Sequence, residues 1–132
     1  MRIKLDEGAF TPTRAHETDA GSPVWIGVKA GKSATIDTGV HVELPPNTVG
    51  MLKSKSGLNC KHGIQSEGVI DVGYTGSIVV KLYNHSDEDY CVRRGDKISQ
   101  LVILPILTPT IEVVDELDAT DRGDNGFGSS GR

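Results

Sequence analysis

Cysteine is scarce in this chain: Cys60 and Cys91 are the only two. They are too few for a disulfide framework and lack CxxC spacing, so a reduced cytoplasmic setting with free thiols is the simplest reading. The histidines at positions 16, 41, 62 and 85 stand apart from one another, which excludes a His-pair metal motif. No apolar run approaches the roughly 20 residues that cross a bilayer, so no membrane span is expected. The start, "MRIKLDEGAF", has no apolar core of the kind a signal peptide needs. Basic residues are scattered and the formal charge is -4, which argues against a nucleic-acid partner. Helical periodicity is nearly missing, and so are internal repeats.

What is present is glycine and alternation. The chain has 16 glycines, where average usage of about 7% would give roughly nine. Its 132 residues suit one domain with one ordinary core. Val40, Val42 and Leu44 alternate with His41 and Glu43, the pattern of a half-buried strand. Ile78, Val80 and Leu82 alternate with Val79, Lys81 and Tyr83 in the same way. "QLVILPIL" reads as a buried strand that Pro105 demotes to an edge or bend, and "IEVVDEL" as a further short strand. Turn signals such as "PPNT", "VGYTG", "NHSDED" and "RRGD" separate these runs. Short strands with turns at this spacing predict an all-β sandwich or barrel of jelly-roll type. "SGLNCKHG" has room for about two helical turns.

Four polar stretches interrupt the strand pattern. In "SKSGL", Lys55 offers charge and Ser56 a hydroxyl at a helix start, where free N–H groups attract phosphate. A plain serine N-cap beside a solvated lysine is the other reading. In "GVIDVGYTGSIVVKLYN", Asp71 follows a strand end and can serve as a general base, while Tyr74, flanked by Gly73 and Gly76, can offer its ring to a sugar or base. A turn aspartate and a packed tyrosine remain the alternative. In "RRGDKISQLVI", Gly95-Asp96 reads as a tight hairpin-type turn, and Gln100 can donate an amide hydrogen to an anion or stand as a polar strand edge. Last, "DRGDNGFGSSGR" holds four glycines and cannot build a core. Yet Arg122 can fork onto phosphate, Gly126 and Gly128 let backbone wrap a ligand, and Phe127 calls for something flat to stack on. A solubilising tail is the competing reading, which the phenylalanine argues against.

In order and spacing these stretches resemble the motifs of the trimeric dUTPase family. "TDAGS" resembles the start of the first motif, "SKSGL" the second, and "GVIDVGYTGSIVVKLYN", "RRGDKISQLVI" and "RGDNGFGSSG" the third, fourth and fifth. The match runs from about residue 9 to the end. The resemblance implies a jelly roll with one very short helix, residues 1–120, and a flexible C-terminal arm, residues 121–132. It implies hydrolysis of dUTP to dUMP and pyrophosphate by a homotrimer whose active sites are shared between chains, with neither nucleic acid nor membrane as partner.

By the same resemblance Lys55, Ser56, Gly57 and Gln100 hold phosphates from one subunit. Asp71 of the next activates water against the α-phosphorus, and Tyr74 packs under the deoxyribose. Gln65, Val69 and Ile70 lie where backbone groups read uracil, and Lys81 joins the substrate-facing set. From the third chain come Arg122, Phe127, Gly128, Ser129 and Ser130, closing over the nucleotide. Mg²⁺ is held mainly by substrate phosphates and water, with no direct protein ligand. The sequence departs from the family pattern at Pro23, where the first motif has an aspartate, and at Ser54-Lys55, where the second has Pro-Arg. A deaminase of the same fold would need an acid where Lys81 stands. A binding or regulatory relative with weakened catalysis is the remaining alternative.

Overall fold

A computed structural model describes residues 1–12, 25–121 and 123. Among these residues eight strands and one helix follow in order: β1 (Arg2–Leu5), β2 (Trp25–Val28), β3 (Ser33–Glu43), β4 (Thr48–Lys53), α1 (Ser56–His62), β5 (Ile64–Ile70), β6 (Ser77–Asn84), β7 (Tyr90–Arg93) and β8 (Gln100–Pro105). Six strands form one sheet in the order β1-β3-β6-β5-β4-β8, and β2 pairs with β7 in a second. All pairings are antiparallel. The expected all-β jelly roll with one very short helix is what forms.

Alternation decides which side chains face inward. In β6, Ile78, Val80, Leu82 and Asn84 are buried while Val79, Lys81 and Tyr83 are exposed. The inward set meets Val28, Ile36 and Ile64 in a single core. Each fully buried aliphatic side chain contributes about 1.5–3 kcal/mol. Asn84 is the polar member, and its amide joins the two sheets. Its Nδ2 donates to Val28 O of β2 at 2.9 Å and to Glu88 O at 2.8 Å, while Oδ1 accepts from Ser86 N at 3.0 Å.

Three expectations need correction. "QLVILPIL" is not a buried strand: among the described residues β8 is an edge strand paired only with β4, and Val102 and Leu104 face outward. "IEVVDEL" is not a strand within the described chain, and Leu107, Ile111 and Val113 are 93%, 88% and 93% exposed. An alternating pattern needs a neighbouring backbone to pair with, and no described strand lies beside this segment. Arg93–Asp96 does turn tightly, with Asp96 N–H on Arg93 O at 3.1 Å. It is not a hairpin, because β7 and β8 belong to different sheets.

Candidate active site

Among the described residues, Lys55, Ser56, Gly57 and Gln100 fall in one corner of the structure, and Asp71 and Tyr74 in another. The first corner lies at the end of β4. Lys55, not Ser56, is the N-cap of α1, and its side chain makes no capping bond. The N–H groups of the first turn therefore lack a side-chain cap. Gly63 closes the helix in the left-handed conformation, its N–H reaching Asn59 O. Gln100 stands opposite Lys53 in the β4–β8 ladder, and its Nε2 donates to Ser54 O at 3.1 Å. The second and fourth stretches thus meet here, and Lys55, Gly57, Lys61, His62 and Lys97 line a cavity of about 320 Å³ beside them.

Three serines hold this corner together. Ser54 Oγ accepts from Ser66 N at 2.9 Å and donates to Ser66 O at 3.1 Å. Ser66 Oγ lies 2.9 Å from Ser99 Oγ, which in turn donates to Lys53 O at 3.2 Å. Ser66 is buried, so its partners satisfy groups that water cannot reach. None of Ser54, Ser66 and Ser99 was a sequence candidate. Ser54 was noted only as a departure from a motif, and no local signal links residues 12 and 33 positions apart.

The second corner is the turn between β5 and β6. Tyr74 N–H donates to Asp71 O at 3.1 Å, and Tyr74 Oη donates to Ser77 O at 2.9 Å. The ring folds back over Gly76 so closely that a Cβ there would lie 2.5 Å from Tyr74 Oη. Glycine is required at 76 for that approach, and Gly73 supplies a φ of 90° in the turn. Tyr74 remains 46% exposed, and Asp71 is exposed, with no hydrogen-bond partner on its carboxylate among the described residues. Both are open to a ligand.

"GIQSEGVID", which carries Gln65, Val69 and Ile70, is one arm of the β5–β6 hairpin. β5 pairs with β6 only from Ile64↔Asn84 to Ser66↔Leu82. From Glu67 onward β5 pairs with β4, and β6 pairs with β3. The arms therefore part toward the turn, and every second residue of 67–70 aims its N–H and C=O at an edge where no described strand pairs. Val69 is exposed, but the Ile70 side chain is in the core, so only its backbone can face a ligand. Gln65 is occupied on Oε1, 2.9 Å from His85 Nε2, and it lines a shallow cavity of about 430 Å³ with Glu67, Gly68 and Tyr83. Lys81 sits with Nζ 5.1 Å from the Tyr83 ring centroid, a cation–π contact.

The two corners are far apart within one chain. Ser54 is bonded to Ser66, and Asp71 lies five residues further on, just past the end of β5. At roughly 3.3 Å per residue that is about 17 Å along the backbone. Arg122, Phe127, Gly128, Ser129 and Ser130, like Pro23, lie outside the described residues.

The dUTPase family model matches residues 9–131. The chain belongs to the dUTPase family. It is 45% identical to the deoxyuridine 5'-triphosphate nucleotidohydrolase of Clostridium acetobutylicum, over 97% of this chain and 93% of that one. The Arabidopsis thaliana enzyme of the same name is also 45% identical, over 97% of this chain and 80% of that protein. Among solved structures, the dUTPase of Staphylococcus bacteriophage 80alpha with dUPNHPP superposes with a TM-score of 0.86 at 32% identity, covering 99% and 98% of the two chains. A dUTPase of S. aureus phage phi11, described with a structural Mg(II) ion, gives 0.75 at 29% identity, over 89% and 98%. No helix among the described residues is long and apolar enough to cross a membrane.

Proposed function

We infer that the protein hydrolyses dUTP to dUMP and pyrophosphate, in active sites each assembled from more than one copy of the chain. Family membership supports the reaction. The observation that carries the assembly is the separation of the Ser56–Gln100 corner from the Asp71–Tyr74 corner. The Asp71 turn of one chain stands well away from that chain's own phosphate corner, whereas a neighbouring copy can bring its Asp71 turn there. The exposed aliphatics of residues 104–117 support contact between copies, since a lone surface rarely leaves such a stretch in water. A homotrimer is the assembly proposed.

In this reading the uncapped N–H groups of Ser56 and Gly57, with Lys55 and the second N–H of Gln100, bind the phosphates. Asp71 takes a proton from water as that water attacks the α-phosphorus, and the bond to the bridging oxygen breaks to release pyrophosphate. Tyr74 packs under the deoxyribose and crowds any 2′-hydroxyl. The parted arm at Gln65, Val69 and Ile70 offers backbone groups to uracil, and Lys81 adds positive charge on the same sheet. Arg122, Phe127, Gly128, Ser129 and Ser130 of a third chain close over the nucleotide. Mg²⁺ fits as a partner of the substrate, because a hard cation takes its oxygens from phosphate and water. Bound so, it neutralises phosphate charge. The two free, exposed cysteines fit a reducing cytoplasmic setting.

Mixing tests the proposal. Asp71→Asn and Gln100→Ala proteins should each turn over dUTP poorly. Unfolded together and refolded, they should regain pyrophosphate release, because some mixed sites combine an intact Asp71 with an intact Gln100. No recovery from properly folded mixed oligomers would reject the shared site. Release of ammonia from dCTP, without pyrophosphate from dUTP, would reject the reaction.

A further inference from the structure

The turn that carries Asp71 and Tyr74 is fastened to the scaffold by a side chain outside every motif. β3 bulges between Asp37, which faces Val79, and His41, which faces Ser77. Side chains hold the bulge. Thr38 Oγ1 donates to Ile78 O at 2.7 Å, and Asp37 Oδ1 accepts from Gly39 N at 3.0 Å and from the Ser77 hydroxyl. The bulge brings His41 beside the β5–β6 turn. Its Nδ1 lies 2.8 Å from Thr75 O, and its Nε2 lies 3.1 Å from Asp6 Oδ2. Asp6 is itself tied to the bulge, its N–H donating to Gly39 O at 2.9 Å. The His41 side chain is only 17% exposed.

Both partners of the ring can only accept. A carbonyl oxygen has no proton to give, and neither has an ionised carboxylate. Neutral imidazole carries one N–H and can satisfy one of them; imidazolium satisfies both. We propose that His41 is a positioning residue for the reaction: as imidazolium it ties the Asp71–Tyr74 turn, through the Thr75 carbonyl, to Asp6 and the β1 end of the sheet. This rests on the reading of Asp71 and Tyr74 as the substrate-facing pair. When the ring loses a proton, the bond to the Asp6 carboxylate, the stronger because its acceptor is charged, keeps the remaining N–H. The Nδ1 lone pair then faces the Thr75 oxygen, so the turn is the contact released.

The charged groups around the ring are Asp6 in the turn after β1, Lys4 on β1 and Asp37 across the bulge. Lys4 Nζ lies 3.5 Å from Asp6 Oδ1. The β5–β6 side offers the Thr75 carbonyl and the Ser77 hydroxyl. The Thr75 carbonyl first, then Asp6, raise the proton affinity of His41 above that of an ordinary imidazole; partial burial and Lys4 oppose them. The sign follows. The tie is complete below the ordinary imidazole range, near pH 6.5, and is lost as pH rises through the raised value.

Two substitutions separate the contacts. The amide nitrogen of Asn falls near Nδ1 and can still reach Thr75; that of Gln falls near Nε2 and reaches only Asp6. Turnover of dUTP is measured from pH 6 to pH 9 for the full-length protein and for His41→Asn and His41→Gln, with oligomer mass checked for each. The ratio of wild-type to His41→Gln kcat should be about tenfold at pH 6 and fall toward one by pH 9, a modest fraction of what a displaced catalytic group costs. His41→Asn should recover most of the loss at pH 6. Asp6→Asn, which withdraws support from the imidazolium, should move the fall to lower pH. Independently of activity, amide hydrogens of residues 71–77 should exchange faster in His41→Gln than in wild type at pH 6. A ratio that does not change with pH, or equal exchange in the turn, overturns the role of His41. Wild-type protein that releases no pyrophosphate from dUTP overturns the function instead, and the exchange comparison still decides the tie.

Discussion

Replacing Gly76 by alanine should damage sugar selection far more than stability. The backbone permits the change, since Gly76 is not among the residues of positive φ. The obstacle is the Tyr74 ring. The new Cβ would lie 2.5 Å from Oη, 2.6 Å from Cζ and 2.9 Å from Cε2. Carbon contacts normally settle near 3.5–4.0 Å, so the ring must move by about 1 Å. It is nearly half exposed and can swing outward, losing its bond to Ser77 O. A neutral hydrogen bond of that kind is worth about 0.5–1.5 kcal/mol, so Tm should drop by only a few degrees. A 1 Å displacement of a group that positions substrate costs up to about 100-fold in rate. The measurement is kcat/KM for dUTP and for UTP. Discrimination against UTP should fall by about tenfold or more as the ring leaves its proposed place on the 2′ side of the sugar. In a Tyr74→Ala background the same Gly76→Ala change should add almost nothing, because no ring remains to be displaced. Full discrimination in Gly76→Ala, or an equal loss with and without Tyr74, would refute the reasoning.

Asp71→Asn should keep dUTP affinity within about tenfold and lower kcat by about 10²–10⁴-fold, the usual worth of a positioned base; single-turnover and binding measurements separate the two. Asn84→Ala should cost about 2–4 kcal/mol in urea unfolding, because Val28 O loses its Asn84 donor and the Ser86 N–H its Asn84 acceptor. Cutting the chain after Asp121 should leave oligomer mass and Tm nearly unchanged while removing most turnover; a truncated protein as fast as the full chain would leave Arg122 and Phe127 without a role. Charged substitutions at Leu107 and Ile111, now almost fully exposed, should lower the mass in sedimentation if that segment packs against another copy.

What local chemistry alone determines was readable in the chain. The in-and-out faces of β6 follow from the two-residue period of Ile78, Val80 and Leu82, and no partner is needed to predict them. The helix at Ser56–His62 is bounded by Gly63, whose left-handed backbone ends it. The residues proposed to face substrate come from polar and glycine-rich runs, which stand out against strands. Tertiary structure decided the rest, for one physical reason: a hydrogen-bond ladder or a buried polar pair joins residues that the chain keeps far apart. Ser54, Ser66 and Ser99 look like ordinary loop or strand serines until β4, β5 and β8 lie side by side. His41 reads as the outward residue of an alternating strand, and only the β3 bulge turns it toward Thr75. "IEVVDEL" has the period of a strand but no described neighbour to pair with, because period expresses a preference and pairing requires a second backbone. The length of the β4–β5 ladder, which no single stretch encodes, holds Ser56 and Asp71 apart, and on that separation the proposal of a site shared between copies rests.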